Sequence, residues 1–127
     1  MFVTRLSSRQ QGLLLTLGKQ LIAADGNIHD KETDLLATLQ AQMTPGIQAA
    51  AVHQLGEEFQ TQESKAALLL ELLGLAHADA DYHLDEKDFI AKVALDLGVG
   101  KDLLADMESW VMRQFALVRE AEEFMEG

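Results

Sequence analysis

Apolar residues recur at three- and four-residue intervals along almost the whole chain, the spacing of helices with one buried face. Leu13, Leu14, Leu17, Leu21 and Ile22 form one such stripe and predict a first helix over about residues 7–24, which Gly12 and Gly18 should weaken by about 1 kcal/mol each relative to alanine. Leu35, Leu36, Leu39 and Met43 predict a second, over about 30–43. Thr44-Pro45 reads as a cap followed by proline at the first helical position, so a third helix is expected to run through Ile47, Ala51, Leu55 and Phe59. A fourth, over about 62–78, carries Leu68, Leu69, Leu70, Leu72, Leu73 and Leu75 and is apolar on most sides, which predicts a central, buried helix. Phe89, Ile90, Val93, Ala94 and Leu97 mark a fifth, closed by Gly98. Leu103, Leu104, Met107, Trp110, Val111, Gln114 and Val118 trace a last helix from about 101 to 124. Glu120, Glu122, Glu123 and Glu126 give its C-terminal end the wrong sign for the helix dipole, so that end is expected to fray. Trp110 reads as a core anchor, and Met43, Met107, Met112 and Met125 as core filler.

Between the first two helices and between the fourth and fifth stands the same acidic signature. It runs from Ala24-Asp25-Gly26-Asn27 to Glu32 and Asp34 in the first copy. In the second it runs from Ala78-Asp79-Ala80-Asp81 to Glu86 and Asp88, every matched position displaced by the same interval. A repeat at fixed spacing indicates a duplicated structural unit. The reading is therefore an all-α, single-domain helical bundle over residues 1–127, of about six to seven helices, built as two pseudo-equivalent three-helix halves at about 10–60 and 64–118.

Charge narrows the function. Ten Lys and Arg against 21 Asp and Glu leave a formal charge of −11, which disfavours nucleic acid and suits divalent cations or basic partners. With no cysteine, disulfides, thiolate catalysis and Cys-ligated zinc are excluded. No apolar run approaches the roughly 20 residues of a membrane span, and Leu13–Leu17 is too short for a secretion signal, so no membrane insertion is expected and the cytoplasm is the expected compartment.

In each copy an Asp closes one helix and a Glu seven residues later opens the next. Asp79, Asp81 and Glu86, with Asp85 in reserve, can aim oxygens into one bend, and Asp25, Asn27 and Glu32 can do so in the first copy. Hard cations take such oxygen ligands, so calcium is the favoured occupant, with magnesium or zinc as alternatives and no organic cofactor. An EF-hand is rejected, because its glutamate stands twelfth and its glycine sixth, whereas here the glutamate stands eighth. A purely structural reading competes: Glu32 and Glu86 follow His29 and His83 at capping-box spacing. His77, Asp79, Asp81 and His83 offer a mixed zinc or nickel set as a lesser alternative. Phosphate loops, His-Glu-x-x-His pairs and nucleophile elbows are absent from the sequence, so no enzyme is expected.

With these residues in place the chain resembles the TerB-like family of tellurite-resistance-associated proteins. The carrying residues are Ala23-Ala24-Asp25-Gly26, Ile28, Glu32 and Leu35-Leu36, then Ala78-Asp79, Glu86, Phe89, Ile90 and Leu97-Gly98. The resemblance implies a compact helical fold in a cytoplasmic bacterial protein, with an acidic divalent-metal site. It also implies a link to tellurite and stress resistance and protein partners at the cytoplasmic face of the inner membrane. Ala80 and Asn27 depart from the family pattern, and the second copy is the stronger candidate site. The alternative function is an acidic interaction scaffold that needs no metal.

Overall fold

The computed structural model describes residues 1–24, 30–52, 54–78 and 84–126, with the backbone alone for 30–32. Among them there is no strand. A 3-10 turn at Val3–Arg5 precedes α1 (Ser8–Ile22), α2 (Asp30–Ala41), a single turn α3 (Leu55–Glu58), α4 (Gln62–Ala76), α5 (Leu84–Leu97) and α6 (Lys101–Glu126). Among the described residues no helix is long and apolar enough to cross a membrane. The fold class is the expected one.

The apolar pattern of α4 explains the architecture. Leu68, Leu69, Leu72, Leu73 and Leu75 are all buried, and they point in too many directions for one neighbour to cover them. The helix accordingly packs against the N-terminal turn, α1, α2, α5 and α6. One hydrophobic cluster draws residues from every helix, from Val3 and Leu13 to Ile90 and Val111.

α1 and α4 run in the same direction. At their starts Arg5 pairs with Glu63 at 3.1 Å, and Arg9 grips Glu58 through two bonds of 2.8 and 3.0 Å. Those bonds to Glu58, and then its charge, raise the Arg9 pKa above its ordinary value. Toward the other end, a Cβ built on Gly18 would lie 3.2 Å from Leu75 Cδ1 and 3.0 Å from Leu36 Cδ1. Their last residues, Ile22 and Ala76, therefore share one end of the bundle.

The two helix pairs repeat in the register of the acidic signature. Ser8 and Gln62 begin α1 and α4, Ile22 and Ala76 end them, and Asp30 and Leu84 begin α2 and α5, each pair separated as Asp25 is from Asp79. Ser7 caps α1 by accepting from the Gln10 N–H at 3.1 Å, and Thr61 caps α4 by accepting from the Ser64 N–H at the same distance. The third elements of the halves do not correspond. The expected helix from Pro45 to Phe59 is wrong: among the described residues there, only the four of α3 are helical. Thr44-Pro45-Gly46-Ile47 forms a turn, with Gly46 at φ +86° and the Ile47 N–H donating to the Thr44 carbonyl at 3.3 Å. Proline second and a left-handed glycine third are what a type II turn requires. The bundle is thus two matched helix pairs with unlike third members, not two equivalent three-helix halves.

After that turn, 48–52 lies as a strap across α1. The Ala50 N–H donates to the Gly12 carbonyl at 3.2 Å, and the Thr16 hydroxyl donates to the Ala50 carbonyl at 2.6 Å. Gln11 fixes its neighbourhood: its buried amide donates to the Leu6 carbonyl at 3.1 Å and accepts from the Thr44 N–H at 2.9 Å. Gly12 is there because the strap is close, since an added Cβ would sit 2.7 Å from the Gln48 carbonyl oxygen. The C-terminal end of α6, expected to fray, is helical to Glu126.

The strap makes a prediction with a sign. Helix propensity alone would make both Gly12→Ala and Gly74→Ala stabilising by about 0.5–1 kcal/mol. A Cβ on Gly74 meets nothing within 4 Å, so that substitution should raise the urea midpoint. Gly12→Ala should lower it, by about 1–3 kcal/mol, because backbone must move. Two stabilised variants would show that the strap does not press on α1.

Candidate functional site

The two acidic segments leave helices that unwind in the same way. At the end of α1 the Ala23 N–H donates to the Lys19 carbonyl at 3.2 Å and the Ala24 N–H to Leu21 at 3.1 Å. At the end of α4 the His77 N–H donates to Leu73 at 3.0 Å and the Ala78 N–H to Leu75 at 3.3 Å. Donors and acceptors in the two helices stand in the register of the repeat, Lys19 matching Leu73 and Ala24 matching Ala78. The sequence repeat thus has a backbone counterpart up to the residue before each Asp.

Asp25, Asn27, Asp79 and Asp81 lie outside the described residues, as do His29 and His83. Glu32 falls on α2 as its third residue, the position Glu86 holds on α5, and nothing is described of its side chain. Two of the seven candidate ligands remain. Asp85 is exposed, whereas Glu86 is only 1% accessible and both its carboxylate oxygens are buried. α5 therefore opens with one acid turned to solvent and the next turned into the protein.

Glu86 is the one buried acid among the described residues. Taking a carboxylate out of water is costly unless charge or hydrogen bonds compensate, and residues at this exposure are rarely acids. The first turn of α5 contributes the positive end of the helix dipole. Glu86 thus stands buried in the first turn of α5, where an anionic side chain is electrostatically placed. Among the described residues, no three His, Asp or Glu side chains converge on one point.

No family model, curated protein or solved structure matches this chain. The reading of the site therefore rests on its own residues.

Two features escaped the sequence reading. His77, the residue at the end of α4, is not an isolated surface histidine: its Nε2 lies 3.6 Å from Glu108 Oε2, an ion pair whenever the imidazole is protonated. This contact ties the exit of α4 to α6. Trp110 is not a fully buried anchor but stands half-buried at the wall of an apolar groove, its ring 5.8 Å from that of Phe2. Met43 and Met107 are core filler as expected, while Met112 and Met125 are exposed.

The burial of Glu86 makes a prediction about the metal-free protein. Gln keeps the shape and the ability to bond back to the helix start, but carries no charge. In the presence of chelator, Glu86→Gln should leave the thermal midpoint unchanged or raise it, by relieving repulsion from Asp85 and Asp88. A loss above about 2 kcal/mol would mean instead that the fold itself needs the charge, as in a buried ion pair.

Proposed function

We propose that this chain is a non-enzymatic module that binds a divalent cation, calcium in preference to magnesium or zinc. Asp79, Asp81 and Glu86 are the principal ligands, Asp85 an auxiliary one, and Asp25, Asn27 and Glu32 the weaker counterparts from the first copy. The observation that carries this reading is Glu86, a buried carboxylate at the head of α5, directly after a segment that holds Asp79 and Asp81. A cation offsets the repulsion among the carboxylates gathered there in sequence. The shared end of α1 and α4 supports a joint contribution from the two copies. Oxygen donors from carboxylate and amide groups favour a hard ion over a soft one.

The resemblance to TerB-like proteins supports the same class, and with it a role in tellurite or stress resistance with protein partners at the cytoplasmic face of the inner membrane. Nothing in this proposal requires a nucleophile or an oxyanion donor beside the carboxylates. The protein's part is to bind, and to present a different surface charge when it has done so.

Calorimetric titration with calcium, magnesium and zinc tests the proposal. Calcium should give a saturable heat and raise the melting temperature, because a ligand bound only by the native state adds about 2.7 kcal/mol at a hundred times its Kd. Glu86→Gln should weaken calcium tenfold or more, about 1.4 kcal/mol. Absence of both heat and stabilisation at millimolar metal would overturn the reading.

A further inference from the structure

α2, α4 and α6 enclose an open apolar groove of about 270 Å³. Leu35 and Leu39 form one wall, Trp110, Val111 and Phe115 the other, and Leu70 belongs to the floor. Gly74 widens it, having no atom within 4 Å of where a Cβ would stand. Glu71, an acid on its lining, is already engaged, accepting from the Phe2 N–H at 2.7 Å and lying 3.2 Å from the Met1 ammonium.

The groove does not end where the bundle ends. Val111, Val118 and Met125 repeat at seven-residue spacing on α6, and so do Trp110, Leu117 and Phe124. The first member of each row faces the groove or the core, but the stripe runs on with little to cover it. Leu117 is 60% exposed, Val118 48%, Phe124 83% and Met125 85%. Contiguous exposed apolar side chains of this kind mark interaction sites more often than accident. From Val111 to Met125 the surface is about 21 Å long at 1.5 Å per residue, the length of a helix of roughly 14 residues and far more than a small molecule fills.

Charge selects the occupant. Over residues 117–126 the overhanging part of α6 carries Glu120, Glu122, Glu123 and Glu126 against Arg119 alone. All four glutamates are exposed, at the negative end of the helix dipole. A second copy of the chain would bring the same four glutamates onto the same stripe, and an anionic lipid surface would be repelled. A cationic helix with one apolar face satisfies both the stripe and the glutamates beside it. We infer that the α2–α4–α6 groove and the overhang of α6 together form a docking surface for an amphipathic, Lys/Arg-rich helix of a protein partner. Such helix-in-groove recognition places apolar anchors at three-, four- and seven-residue spacing along the groove. The inference does not depend on the cation reading.

Trp110 is the single tryptophan of the chain and lines the groove, so its emission reports on occupancy. A synthetic amphipathic helix of leucine and lysine, roughly 14 residues long to match the stripe, should change that emission saturably. The change should be smaller in high salt, because exposed charges are screened. A leucine–glutamate helix of the same pattern, and a lysine–serine peptide without an apolar face, should leave it unchanged. Leu117→Ser with Phe124→Ser should weaken the leucine–lysine helix at least tenfold, as should Glu122→Lys with Glu126→Lys. All four positions are exposed, so these variants should keep the wild-type unfolding midpoint. No emission change with the leucine–lysine helix, or an equal one with the leucine–glutamate helix, overturns the inference. So does a peptide-free dimer by sedimentation that vanishes in the Leu117/Phe124 variant, which would make a second copy the occupant. A response to phosphatidylglycerol vesicles in place of the peptide overturns it in favour of a lipid surface.

Discussion

The burial of α4 is the constraint on which the other helices depend. Leu68, Leu69, Leu72, Leu73 and Leu75 face different directions, and each is worth roughly 1.5–3 kcal/mol when taken fully out of water. No single partner helix can cover such a surface. α1, α2, α5, α6 and the N-terminal turn must all reach it, so their placement follows from one stretch of sequence. Parallel packing of α1 beside α4 then has a consequence for chemistry. The two helices are equal in length and start at the same end, so their last turns lie at the same end of the bundle.

Charge is segregated along that axis. At the starting end, Arg5 and Arg9 are matched to Glu63 and Glu58, so the acids there are neutralised within the chain. Beyond the last turns of α1 and α4 in sequence the acidic signature occurs twice with few cations near it, and Glu86, in the first turn of α5, turns into the protein. α6 bridges the two regimes. It lies beside His77 through Glu108, covers α4 with Met107 and Val111, and then leaves the bundle still carrying an apolar stripe edged with glutamate. Exposed carboxylates keep so apolar an overhang in solution, and by the same token determine which partner it accepts.

The helices are legible in the sequence because their burial pattern is strongly periodic. α1, α2, α4, α5 and α6 fall where the apolar stripes lie, and Gly98 ends α5 at φ +74°. The failure at 45–59 has a specific cause. Pro45 reads as a helix start only when its neighbour Gly46 is set aside, and that pair encodes a type II turn in which a helix cannot begin. The strap beyond it is held by bonds between Gly12, Thr16 and the backbone of Ala50, which leave no periodic trace in side-chain type. Gly12 reads as a weakness in α1 for the same reason: the atom that requires it is the Gln48 carbonyl, remote in sequence. Of the candidate site, the register and the acidic residues can be read directly. That Glu86 is buried while Asp85 is not cannot be, since both stand at the start of one helix and only packing separates them.

If both acidic segments serve one cation at the shared end of α1 and α4, paramagnetic broadening by manganese(II), added to the isotopically labelled protein, will reveal it. The amide signals of Ala24, Asp30, Ala78 and Leu84 should then broaden together at substoichiometric ion, while those of Arg9 and Glu63, about 20 Å away along the helices, stay sharp. Broadening confined to Glu120–Glu126, or spread evenly over the acidic surface, would contradict a shared site.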